Sequence, residues 1–148
     1  MVSSLRQTGY EDASLTALSI GDYPYLEESV RALMEDLERG KVSLSLSSLR
    51  PKGLSTEIVR GIAQVRKTGF TLVPEAGSER LRSVINKNVV ERDLFDAAAL
   101  AFREGWRLLK LYFMIGLPTE SEADLAEMVS LVGRLTELGR SVLGSPPR

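Results

Sequence analysis

Glu75 lies in the run Val73-Pro74-Glu75-Ala76-Gly77-Ser78, where a short apolar stretch gives way to a polar turn. A carboxylate placed there accepts two hydrogen bonds at once, which suits the paired hydroxyls of a ribose. It equally suits the exposed amides at the start of a helix, where the dipole favours an acid. Gly77 lets the backbone turn tightly and come close to a ligand, or serves only as a turn glycine. Asp22, in Ile20-Gly21-Asp22-Tyr23-Pro24, puts a second acid at a similar boundary. Its competing role is to open a turn before the proline. A third boundary, Gly116-Leu117-Pro118, follows an apolar run and offers backbone and apolar groups in place of charge.

The chain has no cysteine and no histidine. That excludes disulfides, thiolate nucleophiles, Ser-His-Asp triads and zinc sites built on Cys or His. A metal held by this chain alone would need carboxylates, which suits magnesium or calcium better than iron. Net charge is −1, with acids and bases interspersed, so nucleic acid is not the expected partner. No apolar run approaches the ~20 residues of a membrane span, and Met1 to Gly9 lacks the apolar core of a secretory signal. A cytoplasmic protein is the expectation. Neither GxxxxGK[ST] nor GxGxxG occurs, which lowers the case for a nucleotide phosphate site.

The elements that must position these residues follow one repeated design: a helix ends at a glycine, an apolar strand follows, and the strand runs into a polar turn. The helix-ending glycines are Gly9, Gly40, Gly69 and Gly105, with Gly139 closing a further helix. Strands are expected over Ala13 to Ile20, Lys41 to Ser47, Phe70 to Val73 and Leu108 to Ile115, the last buried on both faces. Helical spacing puts Leu26, Val30, Leu33 and Leu37 on one face. It does the same for Ile58, Ile62 and Val65, for Leu94, Ala98, Ala101 and Phe102, and for Leu125, Met128, Val129, Val132 and Leu135. Thr119 and Glu122 have capping-box spacing at the start of the last helix. Arg80 and Arg82 read as exposed helical charges, and Tyr112 as a core aromatic.

Strand–helix repeats of this kind specify an α/β fold with parallel strands, in which ligands collect at the C-terminal strand ends. The 148 residues fall short of the ~250 of a closed eight-unit barrel. Half a barrel or a small open sheet fits that length; the expected fold is the former, a partial (β/α) TIM-like barrel of about four consecutive βα units over residues 1–140, with a disordered tail at 141–148.

Two segments carry a resemblance: Leu72-Val73-Pro74-Glu75-Ala76-Gly77-Ser78-Glu79-Arg80-Leu81, running on to Ile85-Asn86-Lys87, and Leu109 to Glu120 (LKLYFMIGLPTE). In this order they resemble the fourth and fifth strands of radical S-adenosylmethionine (radical SAM) enzymes, especially the group often fused to a cobalamin-binding-type domain. Thr8-Gly9-Tyr10-Glu11 and Ser19 to Pro24 look like the approach to that family's second strand and its end. The family's partial barrel holds a [4Fe–4S] cluster on a CxxxCxxC loop, cleaves S-adenosylmethionine and generates a 5′-deoxyadenosyl radical. In this register the chain holds strands two to five, and the cluster belongs to the intact parent only.

The resemblance implies that Glu75 lies near the ribose and that Lys87 pairs with the carboxylate of S-adenosylmethionine, a task for a point charge. A solvated lysine at a helix end is the plain alternative. Gly21 and Asp22 stand where the family uses a Gly-Gly-Glu-like turn to hold the ammonium group; here the first glycine is replaced and the acid is shorter. Gly116, Leu117 and Pro118 stand at the adenine side. The expected function is part of the S-adenosylmethionine-binding face of such an enzyme, inactive alone, with the rest of the barrel or a second copy as partner. A stand-alone small-ligand-binding domain and a non-catalytic piece of a split barrel are the alternatives.

Overall fold

The computed structural model describes residue 4 and residues 7–10, 12–15, 23–40, 43–46, 55–64 and 69–147. Two parallel strand pairs carry the fold. β1 (Asp12–Leu15) pairs with β2 (Ser43–Leu46), Asp12 opposite Ser43 and Leu15 opposite Leu46. β3 (Phe70–Glu75) pairs with β4 (Leu109–Phe113), Phe70 opposite Leu109 and Leu72 opposite Leu111. Parallel strands need a crossover, and helices supply it here. α1 (Leu26–Gly40) joins β1 to β2, and α2 (Thr56–Gln64) lies between β2 and β3. α3 (Glu79–Val84) and α4 (Glu91–Arg103) join β3 to β4, and α5 (Glu122–Leu143) follows β4. Each strand thus leads into a helix, the α/β design expected from the sequence.

Packing follows the apolar stripes. Leu26, Val30, Ile58, Val59, Phe70, Leu72, Leu94, Ala98, Ala101, Phe102, Trp106, Leu131 and Leu135 form one continuous buried cluster between helices and strands. The α4 stripe is buried as its spacing requires. Acids at Glu91 and Asp93 open that helix, and the Asp93 carboxylate accepts the Val90 amide at 3.3 Å. Gly105, at φ 90°, closes it: the Gly105 amide donates to Phe102 O and the Trp106 amide to Ala101 O, both at 3.0 Å. That pair of bonds returns the chain to β4 and brings the Trp106 ring edge-on to Phe70 at 5.2 Å.

Several local expectations change. β4 is not buried on both faces: Leu109, Leu111 and Phe113 turn half-buried toward the helices, while Lys110 and Tyr112 are exposed on the other side. Leu-Lys-Leu-Tyr-Phe obeys a period of two, so Tyr112, at 58% exposure, is no core aromatic. The N-cap of α5 is Ser121, with Asp124 as its reciprocal partner, two residues beyond the Thr119–Glu122 spacing. Its buried side then runs through Asp124, Leu131, Leu135 and Gly139, while Val129 and Val132 are exposed. Gly139 does not end the helix; an added methyl there would meet Pro147 Cγ at 2.6 Å and Phe102 Cζ at 2.9 Å. Gly144, at φ 69°, ends it, so helix extends to Leu143 within the expected tail. Among the described residues no helix is long and apolar enough to cross a membrane.

Candidate functional site

The C-terminal ends of β3 and β4 form a shared rim. β3 gains an irregularity between Leu72 and Glu75, where Pro74 cannot donate to the ladder. Glu75 leaves the strand with φ 66°, a left-handed conformation that costs a non-glycine residue ~1–2 kcal/mol. The Met114 amide donates to Glu75 O at 2.8 Å and fixes the two strand ends side by side. Gly116 follows two residues later at φ 83°, and its amide donates to Glu120 Oε2 at 2.6 Å. Leu117 is half-buried, and Pro118 is exposed.

Lys87 is delivered to the same rim by the end of α3. Asn86 takes φ 57°, its amide donates to Ser83 O at 3.0 Å, and the Lys87 amide donates to Arg82 O at 2.8 Å. This is a Schellman closure with asparagine in the left-handed place. Lys87 Nζ then lies 3.0 Å from Glu75 Oε1, with both side chains partly open to solvent. A pair so exposed contributes little to stability, ~1 kcal/mol at most. Its two groups can exchange each other for a ligand: the carboxylate for hydroxyl or ammonium donors, the ammonium for a carboxylate or other anion.

Two charged residues that the sequence reading placed on the surface, or did not single out, hold this rim in shape. Arg82 is buried at 1% exposure, not an exposed helical charge. Its Nη1 donates to Ala76 O and Gly77 O, and its Nε to Val89 O, all at 2.9 Å. Burial lowers its pKa, and Glu79, Glu91 and Glu127 act in the opposite sense. Asp124 is the second. It accepts hydrogen bonds from Arg80, from the Ser121 hydroxyl and amide at 2.6 and 2.9 Å, and from the Ser78 hydroxyl. Arg80, then Ser121 and Ser78, hold its carboxyl far below the usual range, against a smaller upward push from burial. Arg80 Nη2 also donates to Thr119 O at 2.9 Å. Asp124 therefore ties the turn after β3 to the turn after β4.

Gly77 does come close to something, but that is α5. A methyl group on Gly77 would lie 2.5 Å from the N and Cβ atoms of Met128. Of the predicted site residues, Glu75, Lys87, Gly116, Leu117 and Pro118 thus belong to one rim, with Gly77 packed behind it. Gly21 and Asp22 lie outside the described residues. Among the described residues no group of three or more His, Cys, Asp or Glu side chains could hold a metal ion.

A family model described as the Radical SAM superfamily matches residues 2–132. An uncharacterized protein of Methanocaldococcus jannaschii is 40% identical over 129 residues, 87% of this chain and 28% of that protein. The threonylcarbamoyladenosine tRNA methylthiotransferase MtaB of Chlamydia pneumoniae is 22% identical over 136 residues, 88% of this chain and 32% of that one. The chain thus spans less than a third of the length of either relative. In three dimensions it resembles coproporphyrinogen III oxidase (HemN) from Escherichia coli, described as a radical SAM enzyme. The TM-score is 0.69 at 12% identity, over 90% of this chain and 32% of that chain.

Proposed function

The chain belongs to the radical SAM superfamily, and from that premise we propose that its β3–β4 rim contributes part of the binding face for S-adenosylmethionine. The observation that carries the reading is the Glu75–Lys87 pair, 3.0 Å apart at the end of a parallel strand. A ribose diol and an amino-acid carboxylate are the complementary partners of those two groups, and S-adenosylmethionine has both. Glu75 would accept the ribose hydroxyls, Lys87 would meet the carboxylate, and Gly116 to Pro118 would border the adenine with backbone and apolar groups. Gly21 and Asp22 remain proposed for the ammonium end.

The family's [4Fe–4S] cluster does not fit the residues of this chain, which has no cysteine to ligate it. Reductive cleavage of S-adenosylmethionine is accordingly assigned to no residue here, and the chain by itself is proposed to be inactive. Its proposed partners are further barrel strands or a second copy of the chain. We propose the cytoplasm as its compartment.

Calorimetric titration with S-adenosylmethionine tests the reading. Glu75→Gln and Lys87→Met are each expected to weaken binding about tenfold, the loss of one charge-assisted contact. Wild-type chain that takes up no S-adenosylmethionine, or Glu75→Gln with unchanged affinity, would refute it.

A further inference from the structure

We propose that Arg82 is the positioning residue for the Glu75–Lys87 pair, acting through the two backbone segments that carry them. The inference rests on the ligand-binding reading of that pair for its functional consequence, but not for its geometry. Arg82 Nη1 holds Ala76 O and Gly77 O, the peptide groups just after Glu75. Its Nε holds Val89 O, two residues after Lys87, and its own carbonyl accepts the Lys87 amide. One residue thus grips both segments, by side chain and by main chain.

The segments need such a grip. Glu75 at φ 66° occupies a conformation that non-glycine residues leave readily when nothing holds them, whereas Asn86 at φ 57° tolerates it but still needs its turn held against α3. Arginine is specific for the task, because its planar fork addresses three carbonyls at fixed angles. A lysine keeps the charge but places its donors on one nitrogen, and so cannot copy the separate Nε and Nη1 positions from which Arg82 reaches Val89 O and the Ala76 and Gly77 carbonyls. Arg82 is at 1% exposure, so no water replaces the lost bonds at the surface. Its Nη2 has no hydrogen-bond partner and stands 4.0 Å from Glu79 Oε1, an acid already engaged with the Glu91 amide at 2.6 Å. The side chain is therefore held by the carbonyls, not by a salt bridge.

Amine labelling followed by mass spectrometry reads the pair without any ligand. In Arg82→Lys, Lys87 is expected to label about fivefold faster, as far as it does in Glu75→Gln, the shift that loss of one partly exposed ion pair gives. Lys110, exposed on β4 and without contact to the carbonyls that Arg82 holds, is expected to stay within about twofold of wild type, because local loosening leaves independent sites alone. Folded Arg82→Lys with unchanged Lys87 labelling would overturn the proposal, and so would equal acceleration at both lysines. Should Arg82→Lys not fold, hydrogen exchange in the wild type decides instead. The Lys87 amide and the Arg82 Nε–H are expected to open together; a Lys87 amide that opens far more readily refutes a common anchor. S-adenosylmethionine titration separates the two readings. Labelling that responds as stated, with affinity indifferent to both Glu75→Gln and Arg82→Lys, keeps Arg82 as the positioning residue and removes the ligand.

Discussion

Replacing Gly77 by alanine sets two well-defined effects against each other. Gly77 is not among the residues of positive φ, so alanine meets no backbone strain there. By itself the change stiffens the unfolded chain and stabilises by ~0.4–1 kcal/mol. Against this, the new methyl lies 2.5 Å from Met128 N and Cβ. Carbon contacts settle at about 3.5–4.0 Å, so the turn and α5 must separate by roughly 1 Å. Overpacking of that kind costs ~1–3 kcal/mol, and the upper end applies because helix backbone, not a flexible side-chain tip, must give way. The net expectation is a destabilisation of ~2 kcal/mol, the difference between the clash and the entropy gain. Urea denaturation at constant m-value measures it. A Gly77→Ala chain as stable as wild type would refute the close-approach argument. If it were equally stable and yet bound S-adenosylmethionine more weakly, Gly77 would return to the ligand.

Other substitutions test the packing and electrostatics separately. Leu131→Ala, in a fully buried position on α5, should cost ~3 kcal/mol in the same assay. Val129→Ala on its exposed side should stay within ~0.5 kcal/mol; comparable losses would refute the placement of that helix. The Asp124 carboxyl is depressed in the folded state, so its stabilisation is complete above the unfolded carboxylate pKa of about 4 and is lost as pH falls below it. Melting temperature against pH should therefore fall more steeply on the acid side in wild type than in Asp124→Asn, and superimposable slopes would contradict the assignment.

Much of this organisation is legible in the sequence, and the failures have physical causes. The α4 stripe was readable because Leu94, Ala98, Ala101 and Phe102 keep helical spacing between an acidic start and Gly105. The helix end at Lys87 is legible in the asparagine before it, which tolerates the left-handed turn that presents Lys87. The α5 stripe was misassigned because several apolar residues crowd one stretch and only the cap position selects the face; Ser121 and Asp124 also have capping spacing. For β4, the polar partners Lys110 and Tyr112, two apart, were the signal against burial on both faces. Arg82 had no such signal. A charge inside Glu-Arg-Leu-Arg-Ser reads as solvated, and the three carbonyls that bury it come from turns whose approach is a tertiary fact.

The two hidden residues divide one task. Arg82 fixes Glu75 relative to Lys87 within a single crossover, while Asp124 fixes that crossover to the turn that carries Gly116. A rim assembled from separate strand ends has no covalent means of keeping its parts in register, because each turn can shift on its own strand. Backbone carbonyls and hydroxyls behind the rim provide that register without occupying the groups that face outward. This is why a buried cation and a buried anion sit behind the partly exposed Glu75–Lys87 pair rather than within it. Preorganisation of this kind lowers the ordering cost of binding. It also predicts which losses combine: changes at Arg82 and Glu75 act on one pair and should be non-additive in ligand affinity. Changes at Asp124 and Lys87 act through different contacts and should add. Additive behaviour of Arg82→Lys with Glu75→Gln would break that division of labour.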